Sequence, residues 1–241
     1  MLLLKDIDVV ILAGGLGKRL QTVTGGSQKI LAQIDGKPFI SILIDYIAAQ
    51  GARRFILCTG HDAQNVQASL KNTHPGLILE FSREDEPLGT GGAIKKGSSL
   101  VKSNMFLALN GDCFCVVDYN RMVSFHQQHK AQATIAVTKL EDARDYGTIE
   151  IDTHKKITAF KEKQPILQEA FINTGTYCLN RHVFDVRAGS KPALTEKFSI
   201  EYDFFPYLVG KGFYAFGVEN KFIDIGTPER YQWAREHLKN M

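Results

Sequence analysis

Short apolar runs alternate with segments of helical spacing through the first two-thirds of the chain. A continuous apolar run predicts a strand covered on both faces of a sheet, and apolar residues three or four positions apart predict one face of a helix. We predict strands over 8–13, 54–60, 77–82, 105–112 and 133–140 and helices over 39–50, 63–71, 91–101 and 119–130. Because strands that alternate with helices tend to pair in parallel, the pattern predicts a doubly wound, mainly parallel α/β sheet.

The last third of the chain has a different pattern. Four strand-like segments, GTIEID, KITAFKE, FINTGTYCLN and GFYAFGV, come with helical spacing only around 200–209 and 228–239. We interpret this part as an elaboration on one side of the sheet that covers a ligand. The sequence shows no low-complexity segment, long linker, internal repeat or hexapeptide pattern of a left-handed β-helix. We therefore expect a single domain over residues 1–241 without a β-helix domain.

Composition and charge narrow the class of protein. Hydrophobic residues make up 44% of the 241 residues, which is typical of a globular protein, and the net charge of +3 is too small to indicate nucleic-acid binding. Lys5, Asp6 and Asp8 interrupt the apolar N-terminal segment, so this segment is typical of neither a signal peptide nor a spanning helix. We expect a cytoplasmic protein that binds neither nucleic acid nor a membrane.

The four cysteines lack the C-x-x-C spacing of zinc and redox sites. Cys113 and Cys115 lie at the end of a predicted strand, where alternate residues share a face, and this leaves a soft-metal site as an alternative. Reduced, buried thiols are the ordinary expectation for cysteines of a cytoplasmic protein.

Residues 12–19, LAGGLGKR, place glycines and two cations at the end of the first predicted strand. In open α/β sheets this loop is the usual phosphate site, because glycines let backbone N–H groups approach an anion and a cation offsets its charge. Arg19 stands where a Walker A loop has Ser or Thr, and Leu20 stands where a dinucleotide fingerprint has its third glycine. The segment therefore predicts a phosphate loop of another kind, with a plain glycine-rich turn as the alternative.

Further motifs follow in order along the chain: SQKILAQIDGKP, EPLGTGGAI, LNGDCF, YGTIEID, FKEKQ, INTGTY and FIDIGTPERY. Together with LAGGLGKR, they resemble the motifs of sugar-1-phosphate nucleotidyltransferases from Leu12 to Tyr231. The segments EPLGTGGAI, INTGTYCL, FSIEYDFF and KFIDIGTPERY are most similar to guanylyltransferases of D-glycero-α-D-manno-heptose 1-phosphate. The chain departs from the family pattern at Lys18, where Thr or Ser is usual, and at Gln28, where Pro is usual.

The resemblance implies that a sugar-1-phosphate oxygen attacks the α-phosphorus of a nucleoside triphosphate, expected to be GTP, and that pyrophosphate leaves. It implies Mg²⁺ as the cofactor, held by Asp112 and Asp224, whose carboxylate oxygens suit this ion. Arg19, Lys29 and Asp112 are the implied catalytic residues. The planar guanidinium of Arg19 suits the β- and γ-phosphates, and Lys29 suits the α-phosphate, where charge develops.

The resemblance also divides the chain between its substrates. Residues 1–140 are implied to bind mainly the nucleotide, and residues 141–241 to bind mainly the sugar phosphate and to supply the second metal ligand. The implied nucleotide-binding residues are Leu12, Ala13, Gly14, Gly15, Gly17, Lys18, Arg19, Glu86, Leu88, Gly89, Thr90 and Gly111, among which Glu86 is the candidate acceptor for guanine N1–H and N2–H₂. The implied sugar-phosphate-binding residues are Gly147, Glu162, Lys163, Asn173, Thr174, Gly175 and Glu201, the last of which a helix surface also explains.

The sequence leaves alternatives open. Within the same family, these are mannose-1-phosphate guanylyltransferase and N-acetylmuramate-1-phosphate uridylyltransferase. The sequence determines neither the pathway nor the oligomeric state, for which a homo-oligomer is one alternative. A catalytically silent sugar-nucleotide-binding subunit is a different class of function. The presence of all the implied catalytic and metal-binding side chains, Arg19, Lys29, Asp112 and Asp224, argues against it.

Overall fold

The computed structural model describes residues 3–15, 20, 28–60, 62–161, 169–185 and 196–238. The strands in these residues are β1 (Asp8–Leu12), β2 (Gln33–Ile34), β3 (Lys37–Pro38), β4 (Arg54–Thr59), β5 (Ile78–Arg83), β6 (Met105–Asn110), β7 (Cys113–Cys115), β8 (Ala133–Leu140), β9 (Thr148–Ile151), β10 (Ile157–Lys161), β11 (Ala170–Asn180), β12 (Phe213–Gly217) and β13 (Phe222–Asp224). The helices are α1 (Phe39–Ala49), α2 (Ala63–Leu70), α3 (Gly89–Ser98), α4 (Tyr119–Gln128), α5 (Phe205–Leu208) and α6 (Pro228–His237).

Nine of the described strands form the central sheet, in which β10, β9, β11, β6, β1, β4 and β5 are neighbours in this order. β1 pairs in parallel with β4 and β6, and β4 pairs in parallel with β5. β11 runs antiparallel to β6, β8 and β9, and β12 extends this side by pairing with β8. The predicted α/β fold with a parallel core is confirmed, and the elaboration formed by the last third of the chain is largely antiparallel.

The two faces of β1 explain why its apolar run is continuous. Val9 and Ile11 pack on one side of the sheet together with Phe39 of α1, and Val10 packs on the other side together with Ile94 of α3. None of these side chains is exposed to solvent. Since burial of one such side chain contributes roughly 1.5–3 kcal/mol, apolar layers on both faces stabilise the parallel part of the sheet.

Helix α3 forms despite its glycines because it lies close to the sheet. A Cβ atom on Gly97 would come within 2.7 Å of Cys58 Sγ and 3.2 Å of Val10 Cγ1. A glycine in a helix costs up to about 1 kcal/mol relative to alanine. The close packing of α3 against β1 and β4 offsets this cost, so the predicted helix is present with slightly different bounds.

The predicted strand 105–112 ends at Asn110, because Gly111 and Asp112 form a turn. Gly111 N–H donates to Leu12 O at 3.0 Å. A Cβ atom at this position would lie 2.3 Å from the same oxygen, so the turn requires glycine. After the turn, β7 leaves the central sheet and pairs antiparallel with β13. This pairing brings a late segment of the chain back to the end of β6.

Near the C-terminus, the helices also differ from the predicted bounds. The helix expected around 200–209 is a π-helical turn at Ile200–Phe204 followed by the short α5, and the helix expected over 228–239 is α6. Among the described helices, none is long and apolar enough to cross a membrane.

All four cysteines are free thiols, and Cys58, Cys115 and Cys178 are buried. Cys113 is only partly accessible at the start of β7. The described ranges contain no group of three or more His, Cys, Asp and Glu side chains arranged around a metal position. The soft-metal alternative at Cys113 and Cys115 therefore gains no support.

Candidate active site

A cavity of about 670 Å³ opens at the carboxyl ends of β1, β4, β5 and β6. Ligands of open α/β sheets bind at this edge. Residues that the sequence predicts for the nucleotide or for catalysis form much of its lining, namely Leu12, Gly14, Gly15, Lys29, Glu86, Gly89, Thr90, Gly111 and Asp112. Residues that it does not predict complete the lining, namely Ile30, Gly60, Glu84, Asp85, Pro87, Ala93 and Asn110. Ala13 and Leu88 lie beside the cavity and do not line it.

A second groove, of about 750 Å³, lies between α2 and β5. Its lining includes Lys71 and His74, and His74 Nε2 lies 3.3 Å from Asp45 Oδ1. None of the predicted site residues within the described ranges lines this groove. We assign the candidate site to the cavity at the strand ends, because the predicted residues converge there.

The loop after β1 turns tightly against the loop after β4. Ala13 N–H donates to Cys58 O at 2.8 Å, which continues the β1–β4 pairing by one residue. A Cβ atom on Gly14 would lie 3.2 Å from Gly60 N, so a larger residue would crowd the turn. A Cβ atom on Gly15 would meet no other described residue within 4 Å. The start of the predicted phosphate loop is therefore backbone that a ligand can approach closely.

Some predicted residues lie outside the described part of the chain. These are Gly17, Lys18 and Arg19 in the phosphate loop and Glu162 and Lys163 on the sugar side. Their implied contacts with the phosphates and the sugar stay predictions.

Lys29 and Asp112 form an ion pair in the cavity, between Lys29 Nζ and Asp112 Oδ2. Lys29 begins a 3₁₀ turn that ends at Leu31, and Asp112 follows Gly111 in the turn after β6. The side chain of Lys29 is 19% exposed and that of Asp112 is 32% exposed. The residues that the resemblance assigns to phosphate and to metal are neighbours, and each compensates the charge of the other.

The β7–β13 pair brings Asp224 next to Asp112. Asp224 lies opposite Cys113 in the antiparallel register. Ile225 N–H donates to Asp112 O at 3.0 Å. The two carboxylates that are predicted to share a metal therefore lie on adjacent backbone segments, although they are far apart in sequence.

Three neighbouring groups hold the Asp224 carboxylate. Tyr146 Oη donates to Oδ2, and Gly226 N–H donates to Oδ1 at 2.8 Å. Arg230 Nη1 lies 3.1 Å from Oδ2 and 3.2 Å from Oδ1. Arg230 also contacts Asp145 at 2.5 Å and lies over the Tyr146 ring, 5.0 Å from its centroid. The roles of Tyr146 and Arg230 beside Asp224 are not predicted by the sequence, although both residues lie within its motifs.

The carboxylates of the site raise the pKa values of the groups around them. Burial, Asp112 and Asp224 raise the pKa of the Cys113 thiol well above its ordinary value, and Lys29 opposes this shift. Burial and the Asp224 charge raise the pKa of Tyr146 far above its ordinary value. At neutral pH, Cys113 therefore stays a thiol and Tyr146 stays a hydroxyl donor to Asp224.

Glu84, directly after β5, is a cavity residue that the motifs do not single out. Its Oε2 accepts from Leu88 N–H at 2.9 Å, and its Oε1 would lie 3.3 Å from a Cβ atom on Gly14. Its side chain is half-buried, whereas Glu86 is exposed. Burial raises the pKa of Glu84, while the Leu88 hydrogen bond and Lys96 lower it. The signal that could have found it is its position after a predicted strand at the ligand-binding edge.

On β11, the predicted sugar-side residues use their polar groups differently. Asn173 Nδ2 donates to Tyr177 Oη at 3.0 Å, and its Oδ1 accepts from Gly175 N–H at 2.9 Å. Thr174 is buried, and its hydroxyl donates to Ala136 O at 2.8 Å. The structure therefore does not bring the Thr174 side chain to the cavity, because it faces the interior between β11 and β8.

Gly175 lets β11 pass close to the cavity. It has a φ of +71°, and a Cβ atom there would lie 2.7 Å from Nδ2 of the cavity residue Asn110. Gly147 lies beside this strand, since its carbonyl accepts from Asn173 N–H at 2.9 Å. Glu201 lies elsewhere, with its carboxylate accepting a hydrogen bond from Thr90 Oγ1. A residue predicted for the sugar side therefore contacts the predicted nucleotide loop.

Comparison with known proteins identifies the family of the chain. A family model described as nucleotidyl transferase matches residues 8–240. The chain belongs to this family. D-glycero-α-D-manno-heptose 1-phosphate guanylyltransferase of Aneurinibacillus thermoaerophilus is 37% identical over 235 residues, which are 97% of this chain and 99% of that protein. Mannose-1-phosphate guanyltransferase of Kluyveromyces lactis is 34% identical over 229 residues, which are 92% of this chain and 62% of that protein.

The nucleotidyltransferase also resembles a solved structure over nearly its whole length. HddC from Yersinia pseudotuberculosis, complexed with GMP-PN, has a TM-score of 0.82 and 36% sequence identity. The match covers 96% of this chain and 99% of that chain. The predicted membership of the sugar-1-phosphate nucleotidyltransferases is confirmed, and the protein is an enzyme of this kind.

Proposed function

We propose that this enzyme transfers a guanylyl group from GTP to D-glycero-α-D-manno-heptose 1-phosphate and releases pyrophosphate. The observation that carries the proposal is one cavity that combines a half-buried carboxylate, Glu84, with the Lys29–Asp112 pair. The relative from Aneurinibacillus thermoaerophilus, named for this activity and matched over 99% of its length, supports the same substrates.

Glu84 is the residue that we propose to read guanine. Guanine presents two donors, N1–H and N2–H₂, where adenine does not, and a carboxylate accepts both. Leu88 N–H fixes one oxygen of Glu84 at 2.9 Å, so the orientation of the carboxylate is set before the nucleotide binds. Glu86, the residue that the motif suggests for this contact, is exposed. Its solvation makes it the weaker candidate, because hydrogen bonds discriminate best where water is excluded.

The phosphate chemistry needs positioning and charge neutralisation, because both substrates are anions. A sugar-phosphate oxygen forms a new bond to the α-phosphorus, and the bond from that phosphorus to the bridging oxygen of pyrophosphate breaks. We propose that Lys29 exchanges Asp112 for the α-phosphate and neutralises the charge that develops there. The other phosphates can approach the backbone at Gly14 and Gly15 closely. The resemblance also assigns Arg19 to these phosphates.

Asp112 and Asp224 suit a magnesium ion by their chemistry and their proximity. Mg²⁺ commonly takes one or two carboxylates and completes its coordination with substrate phosphates and water. The described residues supply two adjacent carboxylates and no larger ligand cluster, which fits this mode. When bound, the ion would act as a Lewis acid on phosphate oxygens. Lys29 and Arg230 now compensate these carboxylates, and Tyr146 orients Asp224.

We propose that the sugar phosphate binds on the side of residues 141–241. Asn173 lies on β11, the strand that passes the cavity, and Gly147 lies beside it. The resemblance adds Glu162 and Lys163. Mannose 1-phosphate is a second candidate, because the relative from Kluyveromyces lactis is named for that substrate. The heptose differs from mannose by an extension at C6, and a difference of this size changes binding by only about 1–3 kcal/mol.

The free thiols favour a cytoplasmic location. All four cysteines are unpaired, which suits a reducing compartment. We therefore propose that the enzyme works in the cytoplasm on nucleotide and sugar-phosphate substrates that are themselves water-soluble.

A pyrophosphate-release assay tests the proposed substrates. GTP, ATP, UTP and CTP are each paired with the 1-phosphates of D-glycero-α-D-manno-heptose, mannose and N-acetylmuramate. We expect the highest kcat/KM for GTP with the heptose phosphate. A preference for UTP or for the N-acetylated sugar would contradict the proposal and favour the uridylyltransferase alternative.

The base contact has its own test, for which the chain offers a matched control. Glu84→Gln keeps the size of the side chain but cannot accept two donors as a carboxylate does, so kcat/KM for GTP should fall by about 10- to 100-fold. Glu86→Gln is the control and should change it little. Inosine triphosphate lacks the 2-amino group, so its kcat/KM should fall less in the Glu84 variant than that of GTP. Equal losses for both nucleotides, or a larger loss in the Glu86 variant, would rule out Glu84 as the guanine acceptor.

A further inference from the structure

One carboxylate oxygen of Glu201 accepts two hydrogen bonds from neighbouring hydroxyl groups. Glu201 Oε2 accepts from Thr90 Oγ1 and from Ser199 Oγ, the latter at 2.7 Å. Thr90 lies in the first turn of α3 and lines the nucleotide cavity. The side chain of Glu201 thus connects the π-helical turn at Ile200–Phe204 to the first turn of α3.

Backbone hydrogen bonds join the same two segments. Phe198 O accepts from Gly91 N–H at 3.0 Å and from Gly92 N–H at 3.2 Å, and Phe198 N–H donates to Leu88 O at 3.0 Å. Ile200 N–H donates to Thr90 Oγ1 at 3.0 Å. The first turn of a helix has N–H groups without partners in the helix itself. Phe198 O satisfies two of these groups, so another part of the chain caps the start of α3.

The contact is too close for any other residue than glycine in the facing turn of α3. A Cβ atom on Gly91 would lie 2.2 Å from Phe198 Cε2, and one on Gly92 would lie 2.3 Å from Glu196 O. No solvent layer fits between these atoms. A displacement of residues 196–201 would therefore be transmitted directly to the start of α3.

The cross-link continues to the proposed guanine contact. Leu88, whose carbonyl accepts from Phe198, uses its own N–H to hold Glu84 Oε2 at 2.9 Å. A chain of hydrogen bonds thus runs from Phe198 through Leu88 to the Glu84 carboxylate. The bonds of Thr90 with Glu201 and Ile200 join the same two segments beside this chain. Every link in it is a directed bond between groups that are at least partly buried.

We propose that Glu201 is a positioning residue for the nucleotide and not a ligand of the sugar. Through Thr90, it holds the loop 84–90 in the arrangement that binds guanine, so the part of the chain that faces the sugar phosphate also sets the affinity for GTP. The inference rests on the proposed function, in which GTP is the nucleotide and the loop 84–90 binds its base.

Direct nucleotide binding without any sugar phosphate tests this role. Isothermal titration of Glu201→Ala and Thr90→Val should give a dissociation constant for GTP that is about 3- to 30-fold higher than that of the wild type, as for other residues within a coupled network. In the double variant the two losses of affinity should be less than additive, because both changes break the bond between Glu201 and Thr90. Thr90→Ser and Glu201→Gln, which keep the hydroxyl and an acceptor oxygen, should recover most of the affinity.

Steady-state kinetics and a matched control separate positioning from other roles. Glu201→Ala should raise KM for GTP and lower the preference for GTP over inosine triphosphate, with little change in KM for the sugar phosphate. Glu196→Ala removes an exposed glutamate of the same segment and should leave these values unchanged. A rise confined to KM for the sugar phosphate, or unchanged GTP affinity in Glu201→Ala, would overturn the proposal. So would additive effects in the double variant.

These measurements distinguish a wrong choice of nucleotide from a wrong role for Glu201. The wild type is first titrated with GTP, ATP, UTP and CTP, and weak binding of GTP would contradict the choice of nucleotide. The variant series is then run with the nucleotide that binds most tightly, so the cross-link is judged by the difference from the wild type. Thermal unfolding of each variant accompanies the titration, and a loss of melting temperature with unchanged affinity would also overturn the positioning role.

Discussion

Asp112 and Asp224 lie on adjacent backbone segments but have different surroundings. Asp112 follows the parallel strand β6, and its side chain is 32% exposed and paired with the flexible side chain of Lys29. Asp224 ends β13, and its side chain is 10% exposed and held by Tyr146, Gly226 and Arg230. One carboxylate has a partner that a substrate can take over, while the other is fixed by several directed bonds.

The difference indicates how the site combines adaptability with orientation. A lysine on a long stem exchanges one oxygen for another at little conformational cost, so the Lys29–Asp112 pair can open when phosphate arrives. Hydrogen bonds to a ligating carboxylate fix its direction in the way that outer partners do in metal sites. We therefore expect the Asp112 side to respond to substrate binding and the Asp224 side to keep its geometry.

Removal of either carboxylate charge should have the largest effect. Asp112→Asn and Asp224→Asn should each lower kcat by at least about 10²–10³-fold, because each loses a charged oxygen for the proposed Mg²⁺ ion. Pyrophosphate release at saturating Mg²⁺ measures this, with thermal unfolding as the control for folding. Near wild-type kcat in one variant would show that the two carboxylates do not share a metal.

The lysine on the adaptable side should come next. Lys29→Met should lower kcat by roughly 10²-fold and change KM for GTP much less, because its charge is needed most when charge develops on the α-phosphate. Lys37→Met is a matched control, since Lys37 also pairs with an aspartate but lies exposed on the surface. A change confined to KM for GTP would assign Lys29 to ground-state binding.

The orienting hydroxyl on the rigid side should have a smaller effect that appears in the metal dependence. Tyr146→Phe removes the donor to Asp224 Oδ2 and should weaken Mg²⁺ binding by about 10- to 100-fold, as loss of an outer partner does in other metal sites. Activity against Mg²⁺ concentration and direct Mn²⁺ titration both measure it. Tyr214→Phe is the control, because Tyr214 lies on β12 with its ring against His129. An unchanged half-saturating Mg²⁺ concentration would mean that Asp224 needs no orientation by Tyr146.

A substitution that touches neither Asp112 nor Asp224 should alter the stability of the protein and leave turnover at neutral pH nearly unchanged. His126 is buried, with Nδ1 2.9 Å from Thr134 Oγ1 and Nε2 3.2 Å from Asn180 Oδ1, and burial lowers its pKa from 6.5 to about 4. Between these values the unfolded chain binds the proton and the folded chain does not, so this group makes stability fall as the pH falls from 6.5 to 4.

His126→Gln removes that titration. The melting temperature of the variant should therefore depend less steeply on pH than that of the wild type over this interval, while kcat at pH 7.5 stays close to the wild-type value. If the melting temperatures of the two proteins changed equally with pH, His126 would not bind the proton on unfolding.

Periodicity and loop chemistry account for what could be predicted. The apolar run at 8–13 predicts β1 because both faces of a central strand are covered, and the glycines after it predict the loop that lines the cavity. The motifs around Lys29 and Asp112 predict residues that meet in the structure as an ion pair. The strand and the loop follow from neighbouring residues and from the edge of the sheet at which the strand ends. Lys29 and Asp112 are assigned by the resemblance to a known family, and their pairing comes from the tertiary structure.

Only the tertiary structure decided which distant side chains face each other. The β7–β13 pair, which brings Asp224 beside Asp112, and Arg230, which compensates Asp224, depend on where the last third of the chain packs. Burial likewise distinguishes Glu84 from Glu86, although both follow the same strand, and the contact with Thr90 decides the place of Glu201. The physical reason is that local patterns specify the elements and their faces, whereas contacts between residues far apart in sequence are set by packing of the whole sheet.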